Sequence, residues 1–249
     1  MHTCWNVPRT LRRAAVAAAL IGAGVAAQAG TLTMNGWLFG QGHGVNVGVP
    51  SFTGQAGGFK GTLTGMTDAR FNLNPIEMYC VDLDETININ AGVTYSVKLD
   101  GEIGSTVFTV MSAASVFGGA TATRLGELAS YVVANPTAVD TSQESTSLQL
   151  AFWNVLYDTD TTLSGGTFKD QSSYKTYADT LLTASAGSAV TLDLFVLRSV
   201  GKPGRQDQLF WLERGTPPGG GELPEPGSLA LVALALVGLG SVARRRRGG

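Results

Sequence analysis

The sequence predicts a β-rich α+β fold, with a β-sandwich or barrel-like domain that contains a helical insertion. Three observations favour this class. Glycine is abundant, at 33 of 249 residues, and only 14% of the residues are charged, which suits an extracellular domain with many turns. Short runs of β-branched and aromatic residues lie on both sides of one long helical segment. The two hydrophobic ends of the chain are expected to lie outside this domain.

The predicted strands share bulky and β-branched residues bounded by turn signals. They cover residues 31–39, 63–71, 76–83, 93–97 and 105–111 and, after the helices, residues 190–197 and 208–212. Residues 40–61 are rich in glycine, which predicts a loop or a hairpin of short strands.

Helical spacing replaces strand patterns in the second half of the domain. Leu125, Leu128, Ala129 and Val132 recur at intervals of three or four residues, which predicts a helix over residues 122–134. Two further helices are predicted by the same kind of pattern. They cover residues 145–157 and 173–184. The helical insertion therefore runs from about residue 120 to about residue 186, inside a domain that spans residues 30–215.

The N-terminus has the three parts of a secretion signal peptide. Arg9, Arg12 and Arg13 precede an apolar stretch at residues 14–26. Small residues at Ala27 and Ala29 then form a cleavage site. We expect residues 1–29 to be removed by the general secretion route, because alanines follow the arginine pair where a twin-arginine signal would have bulkier residues.

The C-terminus has the parts of a membrane anchor. A Pro/Gly linker at residues 216–223 leads to Pro224, Glu225 and Pro226. The apolar residues 227–243 follow, and as a helix they would reach about 25 Å, nearly the thickness of the hydrocarbon core. The chain then turns basic at four consecutive arginines: Arg244, Arg245, Arg246 and Arg247. These charges are expected to stay on the cytoplasmic side of the membrane.

The order of these parts in residues 224–249 resembles the PEP-CTERM sorting signal of Gram-negative bacteria, with Pro224, Glu225 and Pro226 at the motif position. The resemblance implies a single-pass sorting helix that an exosortase-type membrane transpeptidase recognises and cuts. It further implies transient anchoring in the inner membrane and delivery to the cell surface or extracellular matrix. A plain single-pass tail anchor is the alternative.

The charge of the exported part differs from that of the whole chain. Seven of the seventeen basic residues lie in the signal peptide and the terminal arginines, which leaves ten basic and nineteen acidic residues over 30–243, a net charge of −9. Nucleic acid is therefore excluded as an expected partner, because phosphate binding requires clustered Lys and Arg.

The cysteine count limits the possible chemistry. Cys4 leaves with the signal peptide, so Cys80 is alone in the mature protein and has no internal disulfide partner. His43 is the only mature histidine, and no pattern around it supports a Cys–His pair or a zinc site. We expect no cofactor and no metal.

Two short stretches carry the remaining chemical signal. Residues 79–83 read Tyr-Cys-Val-Asp-Leu on a predicted strand, and residues 148–153 read Leu-Gln-Leu-Ala-Phe-Trp on a predicted helix. Together they resemble the thioester domains of bacterial surface adhesins, although Leu148 stands where that family has threonine. The resemblance implies that Cys80 is the thiol and Gln149 the acyl donor of an internal thioester that captures amines. The alternative is a buried, unreactive cysteine.

Acidic residues offer weaker signals. Asp82, Asp84 and Glu85 are close in sequence, as are Asp158 and Asp160. Such oxygen ligands suit calcium, but the twelve-residue loop pattern is absent and a solvated turn is the simpler interpretation. No two carboxylates stand out as a hydrolytic pair.

The sequence thus predicts a surface-sorted protein that is not an enzyme and has an adhesive or structural role in an exopolysaccharide biofilm. Its expected partners are the exosortase, the membrane, and an extracellular polysaccharide or an amine-bearing surface protein. The alternative is a non-covalent module that binds polysaccharide or protein.

Overall fold

The computed structural model describes residues 29–199, 201 and 204–215. The signal peptide up to Gln28, the Pro/Gly linker and the sorting helix fall outside these residues. The predictions made for those segments are therefore not addressed by the fold.

The strands lie mainly before and after a group of helices. In chain order they are β1 Gly30–Trp37, β2 His43–Val49, β3 Phe52–Ala56, β4 Phe59–Thr64, β5 Leu73–Cys80, β6 Thr94–Leu99, β7 Phe108–Ser112, β8 Lys169–Asp170, β9 Leu192–Ser199 and β10 Gln208–Glu213. The helices are α1 Ala113–Phe117, α2 Gly119–Ala134, α3 Ser142–Tyr157 and α4 Lys175–Ser185.

Seven strands close into a barrel in the order β1-β4-β5-β10-β9-β7-β6. Strand β6 pairs back to β1, so the barrel leaves no open edge. The pair β6–β7 is parallel, and the other barrel pairs are antiparallel. A separate sheet has the order β3-β2-β8. The closed barrel confirms the predicted β-rich class, and the four helices all lie between β7 and β9 in the chain.

One predicted strand is wrong over most of its length. Strand β4 ends at Thr64, and Gly65 adopts a left-handed φ of 73° that breaks the extended backbone. Residues Ala69–Phe71 then form a 3-10 turn, which the Asp68 side chain caps by accepting a hydrogen bond from Arg70 N–H. The glycine-rich residues 40–61 form the β2–β3 hairpin and the start of β4, as one of the two predicted options.

The hydrophobic core fills the barrel and the space beneath the helices. Barrel strands contribute residues such as Met34, Leu63, Met78 and Phe108, all fully buried. Along β5, Ile76, Met78 and Cys80 alternate with outward-facing residues, as a strand with one side in a barrel must. In the part of the chain that the structure covers, no helix is both long enough and apolar enough to span a bilayer.

Candidate functional site

Cys80 is the last residue of β5 and lies directly opposite Gln208, the first residue of β10. Both side chains are buried, and Cys80 is a free thiol. Because residues opposite each other in an antiparallel pair point to the same side of the sheet, the thiol and the Gln208 carboxamide face one another. This cross-strand pair is the centre of the candidate site.

Helix α3 reaches the same point from the other side of β5. Its start is fixed by a capping box, in which the Thr141 side chain accepts from Glu144 N–H and the Glu144 carboxylate accepts from Thr141 N–H. Polar side chains of α3 then bind the sheet: Ser145 Oγ accepts from Gly58 N–H at 2.8 Å, and Thr146 donates to the Ala56 carbonyl at 2.9 Å. These bonds attach the start of α3 to the end of β3 and to the residue just before β4.

Gln149 of α3 binds the backbone of Cys80 at both ends of its carboxamide. Its Oε1 accepts from Cys80 N–H at 2.8 Å, and its Nε2 donates to the Cys80 carbonyl at 2.8 Å. Val81 N–H points the other way and donates to the Asp207 carbonyl. The pairing of β4 with β5 ends at Phe59↔Met78, before it reaches Cys80. Gln149 therefore supplies the two hydrogen bonds that a neighbouring strand would otherwise give to the Cys80 backbone.

Two other glutamines contact the Cys80 sulfur. The thiol donates to Gln206 Oε1 at 2.8 Å, and Gln208 Nε2 lies 3.7 Å from Sγ. Gln208 Nε2 also donates to the Gln206 carbonyl at 2.9 Å, and Gln206 Nε2 donates to the Asp82 carbonyl at 3.0 Å. The sulfur is thus surrounded by carboxamides that are themselves held by the backbone.

The Gln208 carboxamide is only half satisfied. Gln208 is 0% exposed, so its Oε1 cannot bond to bulk water, and this atom has no hydrogen-bond partner among the described residues. An unpaired buried carbonyl costs about 1–3 kcal/mol of folding free energy. Such groups are few in folded proteins, and among the described residues Trp153 Nε1, Asn154 Oδ1 and Asp170 Oδ1 share this state. Gln208 is the one of the four that also contacts the Cys80 sulfur.

The electrostatics of the site keep the thiol neutral. Burial raises the pKa of Cys80 far above its ordinary value, because the thiolate would lose its hydration. Aromatic rings close the outer side of β5, where Tyr79 contacts Phe152 at 5.2 Å and stacks on Trp211 at 6.1 Å between ring centroids. Tyr79, Phe152 and Trp153 are all buried.

Three carboxylates lie beside the site, in the loops that follow β5 and precede β10. Oxygens of Asp82, Glu85 and Asp207 come within 4.8 Å of one another. Each accepts backbone hydrogen bonds: Asp82 accepts from Asp207 N–H, Glu85 from Gly204 N–H, and Asp207 from Ser199 N–H. Burial raises the pKa of Asp82 to about 6.

The other acidic and histidine residues singled out from the sequence lie elsewhere. Asp84 does not join the three carboxylates. Asp158 and Asp160 accept backbone hydrogen bonds within the loop after α3, as a turn does. His43 Nε2 lies 2.9 Å from Ser142 Oγ at the start of α3, so the imidazole pairs with a hydroxyl and not with the thiol.

The comparisons with known proteins inform the tail and not the barrel. Residues 222–247 match the PEP-CTERM protein-sorting motif, which confirms the PEP-CTERM resemblance of the tail. The individual roles of Pro224, Glu225, Pro226 and of the arginines Arg244, Arg245, Arg246 and Arg247 stay predictions. No curated protein and no solved structure matches the chain. The motif implies export, transient membrane anchoring and processing by an exosortase. The cleavage site at Ala27 and Ala29 stays a prediction, as does the likeness of the barrel to thioester domains.

Sequence reasoning found Cys80 and Gln149 but missed Gln206 and Gln208. Gln208 opens a segment that was predicted as a strand, and a polar residue on the inward side of such a strand is a signal for a buried polar group. The pairing of that residue with Cys80 depends on the register between β5 and β10, which 127 intervening residues separate in the sequence.

Proposed function

We propose that this exosortase-sorted protein carries an internal thioester between Cys80 and a facing glutamine, and that it uses this bond to attach once to an amine. The observation that carries the proposal is the buried pair of Cys80 and Gln208, with the thiol beside a carboxamide whose carbonyl oxygen has no partner. Such a bond acts once and not in cycles, so the protein is a covalent linker and not a turnover enzyme.

The chemistry balances without a further reagent. The Cys80 sulfur adds to the side-chain carbonyl carbon of the glutamine, and the C–N bond breaks. The nitrogen leaves as ammonia with the proton that the thiol gives up, and a carbon–sulfur bond remains. When an amine later attacks the same carbon, an amide forms and the Cys80 thiol is released. Burial protects the acyl carbon from water in the interval.

The geometry favours Gln208 over Gln149 as the acyl donor. The amide nitrogen of Gln208 lies 3.7 Å from Sγ, and this nitrogen is the group that leaves when the sulfur bonds to the adjacent carbon. Both ends of the Gln149 carboxamide are instead bound to the Cys80 backbone. Gln206 presents its oxygen to the thiol and its nitrogen to Asp82, so the leaving group points away. Gln149 remains the donor that the sequence resemblance implies, and mapping decides between them.

The biological setting follows from the sorting motif. An exported protein that exosortase transfers to the surface meets polysaccharide and the lysine side chains of surface proteins. A protected acyl group would fasten the protein to an amine on either. We propose an adhesive or structural role in an exopolysaccharide biofilm on this ground.

The test is the mass of the mature protein. We expect the exported wild-type protein to be lighter than its sequence by one ammonia and to gain the mass of methylamine on incubation with it. Cys80→Ala should have its full sequence mass and no adduct. Cys80→Ser is the matched control for size. A full mass with an alkylatable thiol in the wild type would exclude the thioester.

A second candidate is a non-covalent module that binds polysaccharide or protein. The buried, neutral thiol favours it, because such a cysteine also serves as a small core residue. This alternative predicts reversible binding of matrix polysaccharide that Cys80→Ser leaves unchanged, together with full mass of the wild type.

Sorting has its own test. We expect Glu225→Ala to leave uncut protein in the inner membrane, because the exosortase no longer recognises the tail. Thr216→Ala, which precedes the matched residues 222–247, is the control and should be delivered as wild type. Cell fractionation with an antibody to the domain measures both. Normal surface delivery of Glu225→Ala would contradict recognition through this residue.

A further inference from the structure

We infer that Gln206 is a positioning residue for thioester formation, because it holds the thiol with its side chain and the Gln208 nitrogen with its backbone. This inference rests on the proposed function and deepens it. Gln206 is also buried, and it stands just ahead of β10 in the loop that carries Asp207.

The side chain of Gln206 orients the sulfur. Cys80 Sγ–H donates to Gln206 Oε1 at 2.8 Å, so the proton points toward Gln206 and a sulfur lone pair is left free to face another group. The other end of the same carboxamide donates to the Asp82 carbonyl at 3.0 Å, and Gln206 N–H donates to the Thr86 carbonyl at 3.3 Å. Gln206 is therefore fixed at both its side chain and its main chain.

The backbone of Gln206 orients the second reactant. Its carbonyl accepts from Gln208 Nε2 at 2.9 Å, which turns the Gln208 amide nitrogen toward the sulfur at 3.7 Å. One residue thus sets the directions of both groups that must react. Changing its side chain removes the bonds to the sulfur and to the Asp82 carbonyl, but the backbone carbonyl that holds Gln208 remains.

Positioning predicts a change in rate that a purely structural role would not produce. Substitution by leucine removes the acceptor for the thiol proton, and loss of orientation by about 1 Å slows such reactions about 100-fold. Gln206→Glu keeps the size and places a carboxylate at the acceptor position. A carboxylate takes the thiol proton when it is ionised, so it changes how the rate depends on pH.

The experiment follows ammonia loss in the full chain after a pulse of synthesis in spheroplasts, where the medium sets the pH. Samples are unfolded in acid at successive times, and the mass of the labelled protein is measured. We expect Gln206→Leu to lose ammonia about 100-fold more slowly than wild type. The wild-type rate should rise with pH throughout, since burial keeps the thiol protonated, whereas Gln206→Glu should reach a plateau once its carboxyl is ionised.

Controls separate this inference from the proposed function. Gln55 is an exposed glutamine of β3, and Gln55→Leu and Gln55→Glu should behave as wild type. If wild type never loses ammonia, the thioester itself is absent and both proposals fail. If wild type loses ammonia and both Gln206 variants match its rate and pH profile, only the positioning role is overturned. Gln206→Glu remains informative if Gln206→Leu does not fold.

Discussion

Gln149 and Gln208 are both fully buried glutamines beside Cys80, but they contact different parts of it. Gln149 on α3 bonds to the backbone N–H and C=O, whereas Gln208 on β10 faces the sulfur. The first carboxamide is satisfied at both ends, and the second has an unpaired oxygen. Two glutamines can therefore be equally buried beside one thiol and still differ in which of their polar atoms are already hydrogen-bonded. On the proposed function, this difference makes Gln208 the acyl donor and Gln149 a partner of the backbone.

The largest expected effect is on the chemistry and tests the Gln208 side of this comparison. We expect Gln208→Met to abolish both ammonia loss and methylamine capture, because the carboxamide proposed as the acyl donor is then absent. In a Cys80→Ala background, Gln208→Met should keep the folding stability within about 1 kcal/mol of its parent, since the substitution also removes an unpaired buried carbonyl. Intact mass and urea unfolding measure the two quantities. Undiminished amine capture by Gln208→Met would contradict the assignment.

The converse prediction concerns Gln149 and should appear in stability. Gln149→Met leaves Cys80 N–H and C=O buried without partners, which costs about 2–5 kcal/mol of unfolding free energy. Molecules that do fold should still lose ammonia. Urea unfolding in a Cys80→Ala background isolates the stability term from the covalent bond. Equal stability losses for Gln149→Met and Gln208→Met would remove the distinction between the two glutamines.

A smaller effect, on the pH dependence of folding stability, is expected from Asp82 in the loop that follows β5. The raised pKa of Asp82, about 6 against 3.8 ordinarily, means that the folded state binds its proton more tightly than the unfolded chain. The folding stability that this tighter proton binding contributes is present in full below about pH 4 and is lost as pH rises through about 6. Because Asp82 is only half-buried, we expect a loss of about 1 kcal/mol.

Asp82→Asn is the matched variant for this prediction, because it cannot ionise. In a Cys80→Ala background, the stability of wild type relative to Asp82→Asn should fall by that amount between about pH 4 and about pH 7. Urea unfolding at both pH values measures the difference, in which most other titrations cancel. A difference that is constant or grows with pH would show that burial does not disfavour the Asp82 carboxylate.

The fold class could be predicted from local patterns, and the site only in part. The β-branched runs and the helical spacing of Leu125 and Leu128 both report local structure, which neighbouring residues determine. Cys80 and Gln149 were found because their surroundings resemble a known pairing. Gln206 and Gln208 were missed because their approach to Cys80 depends on strand register, a long-range property that no local pattern carries.

The closure of the barrel was also beyond local reasoning. It requires that β6 pair with β1 and that β6 and β7 run parallel, although they follow one another closely in the chain. Parallel neighbours usually need a long crossover, whereas residues 100–107 make this connection. The sequence of that short segment, which contains Gly101 and Gly104 at left-handed φ values of 84° and 130°, does not reveal its strand pairing.

The measurement that tests the central claim most directly is the location of the methylamine adduct. The exported protein is incubated with methylamine, digested, and analysed by peptide sequencing in the mass spectrometer. We predict the adduct on Gln208, with Cys80 released as a free thiol, and none on either residue in Cys80→Ala. An adduct on Gln149 would contradict the role of the β10 glutamine. No adduct, with Cys80 and all three glutamines intact, would contradict the thioester.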